Sequence, residues 1–146
     1  MGLKITEKEA RLYWDKIKAR TMAIKVVDDI ESDADRKKRM RYLEADYIRW
    51  FEYYFPNYAK KKCARFHKRL ANNIIKNKRI RELMEAFRSA GKSVHIDMGI
   101  PLYLYYALRD LHFMLLIGET ESKAAKLLGD IQAQIEFNPR LLRDYG

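Results

Sequence analysis

Apolar residues recur at three- and four-residue spacing along most of the chain, which predicts one helix after another. The first opens at Thr6-Glu7-Lys8-Glu9, a capping box in which hydroxyl and carboxylate each satisfy an amide of the helix start. Ala10, Tyr13, Trp14, Ile17 and Ile24 give it one apolar face. An acidic break, "DDIESDAD", precedes a second helix over about 34–55, with Met40, Leu43, Tyr47, Phe51 and Tyr54 in register. Pro56 ends it, because the residue before a proline is pushed out of the α region. A third helix covers about 59–75, with Cys63, Phe66, Leu70 and Ile74 along one side. "NNIIKNK" then interrupts the pattern.

Beyond Arg79 the texture changes. In "RIRELMEAF" the apolar positions Ile80, Leu83, Met84 and Phe87 keep helical spacing, so periodicity predicts a helix there. "SVHIDMGIPLYLYYALRDL" reads as an apolar helix with a joint at Gly99 and Pro101. "HFMLLIGET" reads as a short buried strand. "SKAAKLLGDIQAQIEF" is an amphipathic helix with Ala124, Leu127, Leu128, Ile131 and Ile135 on one face, closed by Asn138-Pro139. Loop, helix, strand, helix is a piece of an α/β pattern. The chain is thus expected to be predominantly helical, with an α/β second half. "WFEYYF", Trp14 and the tyrosines of "PLYLYYAL" read as core packing.

Composition narrows the classes. Only three prolines and six glycines interrupt 146 residues, which suits long helices. The single cysteine, Cys63, excludes an intrachain disulfide and suggests a reducing, intracellular setting. His95 and His112 have no Cys or His at ligand spacing, so no metal site is expected there. The opening "MGLKITEKEARLYW" turns charged at once and does not read as a signal peptide. Gly2 and Thr6 fit the short myristoylation pattern, but the capping box is the better use of Thr6. The longest clean apolar run, "FMLLI", falls far short of the roughly 20 residues of a membrane span.

Charge is the strongest compositional signal. The net value is +10, and residues 1–81 carry 23 basic and 11 acidic side chains against 7 and 9 in the remainder. Between Tyr53 and Arg81 there are ten basic residues and no acidic one. Such a field attracts polyanions. Lys60, Lys61, Lys62, Arg65, Lys68 and Arg69 are the candidates to meet DNA phosphates, and charge alone fits equally a solvated helix face in a basic protein.

"AFRSAGKS" is the stretch with candidate chemistry. Against the phosphate-loop pattern G-x-x-x-x-G-K-[ST], seven of eight positions agree and Ala86 stands where the first glycine belongs. In such a loop consecutive amides face phosphate, Gly91 lets the backbone come close, Lys92 reaches the outer phosphates and the Ser93 hydroxyl meets Mg²⁺. A helix preceding the loop, in place of a strand, would speak against this reading.

"YIRWFEYYFPNYAKKKCARFHKRLANNI", "RELMEAFRSAGKSV" and "FMLLIGETESKAAKLLGDIQAQIEFNPRLLRDYG", in that order, resemble the N-terminal part of a phage terminase large subunit, the DNA-packaging motor of tailed bacteriophages and prophages. The resemblance covers about residues 34–146. It implies a basic helical region over 1–77, and over 78–146 the first part of a P-loop ATPase domain with an incomplete sheet. It implies ATP and Mg²⁺ as cofactors, Lys92 and Ser93 as Walker A residues, Ser89, Ala90 and Gly91 as donors of loop amides, and Arg88 as a residue acting on the γ-phosphate. Phe55, Pro56 and His67 would match an adenine-side motif, and Gly118, Glu119 and Thr120 a later loop. Double-stranded DNA, the small terminase subunit and the portal protein would be partners, in the cytoplasm of a bacterial host.

The family's Walker B acids and nuclease carboxylates have no counterpart here, since Asp110, Asp130 and Asp144 are isolated. The chain is therefore expected to be the front of a longer motor or a prophage remnant, binding nucleotide without hydrolysing it alone. The competing reading is a non-enzymatic, mostly helical nucleic-acid-binding protein, in which "RIRELMEAF" is helix and "GKS" only a loop.

Overall fold

The structure, a computed structural model, describes residues 6–26, 30–85 and 87–146. Gly2, Asp28, Asp29 and Ala86, named above, lie outside them. The protein is predominantly helical. Its helices are α1 (Glu7–Met22), α2 (Asp33–Glu44), α3 (Tyr47–Tyr54), α4 (Arg65–Lys76), α5 (Ile100–Tyr106), α6 (Glu121–Phe137) and α7 (Pro139–Tyr145), with a π-helical turn, Val94–Gly99, running directly into α5. The described residues contain no β-strand. They gather into two compact units. One holds 37–112, and the other holds the chain up to Arg36 together with 113–146.

In the unit formed by the two chain ends, the Thr6 capping box is present as expected, with the Glu9 amide donating to Thr6 Oγ1 and the Thr6 amide to Glu9 Oε2. α1 packs on α6. Ile17 and Ile24 are buried, and Trp14 meets Phe137 edge-on at 6.0 Å. The buried side of α6 is Ile131, Ala133 and Gln134, whereas Leu128 and Ile135 of the expected face are exposed. Gln134 explains the shift. Its amide donates to Thr21 Oγ1 and its carbonyl accepts from Asn138, a closed polar chain in which each buried group has a partner. Asn138 also caps α7, accepting from the Arg140 and Leu141 amides.

The second unit is built on aromatic packing. Trp50, Phe51, Tyr54 and Phe55 are fully buried, and Trp50 meets Tyr103 at 5.3 Å. The long helix expected over 34–55 is two helices. Asp46 breaks it by accepting from the Ile48 and Arg49 amides, which starts α3 afresh. Leu43, Tyr47, Phe51 and Tyr54 are all buried, so the apolar spacing survives the break. The third helix begins only at Arg65, leaving Lys60, Lys61 and Lys62 in the preceding loop.

Two further expectations fail. Residues 80–85 are not helical. Nor is "HFMLLIGET" a buried strand, since Phe113, Leu115 and Ile117 are 81%, 70% and 84% exposed in a segment without regular structure. The expected joint at Gly99 and Pro101 is real and takes the form of the π-helical turn, in which the Ile100 amide donates back to the His95 carbonyl.

Candidate phosphate loop and the histidine pair that holds it

The segment after Phe87 turns sharply. Ser89 and Gly91 have φ of 67° and 74°, and the Ala90 amide donates to the Phe87 carbonyl at 3.2 Å. Glycine adopts this conformation freely, while for Ser89 it costs roughly 1 kcal/mol or more. A helix begins at Lys92. Its first backbone bond runs from the His95 amide to the Gly91 carbonyl at 3.0 Å, so the amides of Lys92, Ser93 and Val94 precede the ladder. A positive-φ residue followed by helical ones is the alternation that turns successive amides toward an anion.

Arg88, Ser89, Lys92 and Ser93 are exposed, Gly91 is partly so, and Ala90 is buried. Asp97 stands one turn on from Ser93. Burial pushes its carboxyl above the ordinary range, opposed by the Ser93 side chain and by the Lys92 charge. A serine hydroxyl beside a carboxylate is an all-oxygen donor set, which suits Mg²⁺. Asp97 was not foreseen from the sequence, where only its four-residue spacing from Ser93 marks it.

Two histidines hold the loop from within. His67, on α4, accepts at Nδ1 from the Ala64 amide at 3.0 Å, so its proton sits on Nε2, and it donates from there to the Ala90 carbonyl at 2.6 Å. His95, on the π-helical turn, stacks on His67 with ring centroids 4.0 Å apart. Its Nδ1 lies 2.7 Å from the Tyr47 hydroxyl and its Nε2 4.0 Å from Cys63 Sγ. Burial, then the neighbouring His67, lowers His95 to about 4, so it is neutral at physiological pH. Cys63 is pushed up to about 12 by burial and by the Glu52 carboxylate, whose Oε1 accepts from the Cys63 amide at 2.9 Å. An ideal Cβ on Gly91 would lie 3.6 Å from His67 Nε2 and 3.8 Å from His95 Nε2, so both rings pack against the glycine.

The remaining expected residues fall as follows. His67 is brought to the loop, but Phe55 is a fully buried core residue. Thr120 caps α6, accepting from the Lys123 amide. Lys60, Lys61, Lys62, Arg65, Lys68 and Arg69 are all exposed. Lys68 is paired with Asp46 at 2.6 Å. The Cys63–His67–His95 grouping runs against the expectation of no metal site at His95, because folding brings His95 to Cys63 and His67, which are four residues apart but far from it in sequence. No helix among the described residues is long and apolar enough to cross a membrane.

Comparison with known protein families, characterised proteins and solved structures gives no match.

Proposed function

We propose that the chain is the N-terminal ATPase-domain segment of a phage terminase large subunit, binding ATP–Mg²⁺ at residues 88–93 within a motor that packages double-stranded viral DNA. The observation that carries this reading is the loop itself. A non-helical run turns through positive-φ Gly91 into a helix whose leading amides precede the ladder, with Arg88 and Lys92 exposed on it. On this reading the amides of Gly91, Lys92 and Ser93 hold the β-phosphate, displaced from the expected Ser89–Gly91 set because the Ala90 amide is taken by the Phe87 carbonyl, and Lys92 neutralises the outer phosphates. Ser93, with Asp97 beside it, faces Mg²⁺, which would supply charge neutralisation between the phosphates. Arg88 places positive charge where the γ-phosphate leaves.

The helical nucleic-acid-binding alternative calls for a helix through Met84 and the motor for a strand leading into the loop; residues 80–85 form neither, so that stretch favours neither reading. Phe113, Leu115 and Ile117, exposed at every second position, have the pattern of a strand face that other parts of a motor would cover. DNA would meet the basic residues at 60–69, with the small terminase subunit and portal as further partners. Hydrolysis is left to acidic residues elsewhere in the motor, since Asp110 pairs with Lys78 and Asp130 accepts from Tyr13.

Hydrogen exchange tests the assignment at residue level. Adding ATP–Mg²⁺ should slow exchange at the amides of 91–94 in the parent chain and not in Lys92→Ala. Unchanged exchange there, or equal slowing in the variant, would remove the phosphate loop from consideration.

A further inference from the structure

Cys63, His67 and His95 offer one sulfur and two imidazole nitrogens, all within 4.8 Å of one another. We propose that these three side chains form a binding site for a borderline-soft divalent cation of the Zn²⁺ class, independent of nucleotide. Thiolate plus imidazole is the donor set such ions take, three protein ligands leaving a fourth position for solvent.

Four features of the fold fit this site. The Cys63 Sγ to His95 Nε2 separation, 4.0 Å, is slightly wider than the edge of a tetrahedral Zn²⁺ site and closes with a small side-chain movement. Both Nε2 atoms lie within 4 Å of where a Gly91 Cβ would stand, and the glycine leaves that space without a side chain. Tyr47, 3% exposed, holds His95 Nδ1 at 2.7 Å. Its hydroxyl can accept as well as donate, so it can receive the Nδ1 proton while Nε2 ligates, as outer partners of metal-bound histidines do. His95 itself rides on a π-helical turn, an irregularity that concentrates at functional sites.

Binding rearranges two protons and two contacts. The Cys63 thiol releases its proton to solvent as the sulfur–metal bond forms. His67 moves its proton from Nε2 to Nδ1, giving up both the Ala90 carbonyl and the Ala64 amide to ligate through Nε2. Cation binding therefore loosens the tie between α4 and the loop.

Titration of tag-free, reduced protein with Co²⁺, in the absence of nucleotide, tests the site. The expected result is a thiolate-to-cobalt charge-transfer band with the intensified visible bands of tetrahedral cobalt, saturating at one equivalent and displaced by Zn²⁺. Cys63→Ser should abolish the charge-transfer band, and His95→Gln should weaken binding by about tenfold or more. His112→Ala, at an exposed histidine outside the cluster, should bind as the parent does. Circular dichroism confirms that each variant is folded, and Cys63→Ser, at a half-buried position in a loop, keeps the test open if His95→Gln unfolds. Absence of the charge-transfer band in the parent, or its persistence in Cys63→Ser, would overturn the proposal.

Discussion

His67 donates through Nε2 to the carbonyl of Ala90 at 2.6 Å, tying α4 to the turn that presents Gly91, Lys92 and Ser93. Twenty-three residues of sequence separate the partners, and Ala90 is buried. Without His67 its carbonyl would lack this donor. His67→Ala is therefore expected to cost about 1–3 kcal/mol of stability. Urea unfolding measures it, with Arg69→Ala, on the same helix and exposed, as a control expected to be near neutral.

Gly99 has a steric reason to be glycine. A Cβ there would lie 2.5 Å from Tyr47 Oη and 2.8 Å from the Phe51 ring, and Phe51 is fully buried. Gly99→Ala gains roughly 1 kcal/mol of helix propensity. It should nonetheless destabilise the protein, because overpacking a filled core costs about 1–3 kcal/mol. A raised melting temperature in Gly99→Ala would show that the ring can yield.

Acid should weaken the start of α3. Burial pushes the Asp46 carboxyl up, but the Lys68 ammonium and the Arg49 and Ile48 amides outweigh it and hold the carboxyl below its ordinary range. A depressed carboxylate contributes stability above its unfolded value, near 3.9, and loses it as pH falls through the folded one. Asp46→Asn keeps a capping oxygen and should flatten the stability profile below about pH 4 relative to the parent. Asp46→Ala removes the cap as well and should cost about 0.5–2 kcal/mol near neutrality. Denaturant unfolding across the acid range separates the two.

DNA affinity should fall with salt in proportion to the phosphates contacted. Lys60, Lys61 and Lys62 lie exposed in a loop, so replacing all three by Ala should leave the fold intact. If all three meet phosphate, the slope of log K against log salt should become shallower by about 2.7, at roughly 0.9 per contact. Fluorescence anisotropy on duplex DNA reads this slope, and an unchanged slope, or no binding by the parent chain, would contradict the proposed contact.

Local chemistry was legible in the sequence where neighbours in the chain settle it. The Thr6–Glu9 box, the stop at Pro56, the Asn138-Pro139 junction and the irregularity at Gly99 are each decided within a few residues. The break at Asp46 was hidden because Leu43, Tyr47, Phe51 and Tyr54 hold one helical register across it. Periodicity misled at 80–85, where Ile80, Leu83 and Met84 keep helical spacing and form no helix. The histidine pair was not legible at all. Cys63 and His95 stand 32 positions apart, and only the packing of α3, α4 and the π-helical turn brings them together.

The central claim is that residues 88–93 hold phosphate. Calorimetric titration with ATP and Mg²⁺, run on the parent chain and on Lys92→Ala, tests it most directly. Saturable, Mg²⁺-dependent heat in the parent that is lost in Lys92→Ala, with both proteins equally folded, is the predicted result. No saturable heat in the parent, or the same affinity in both, would contradict it.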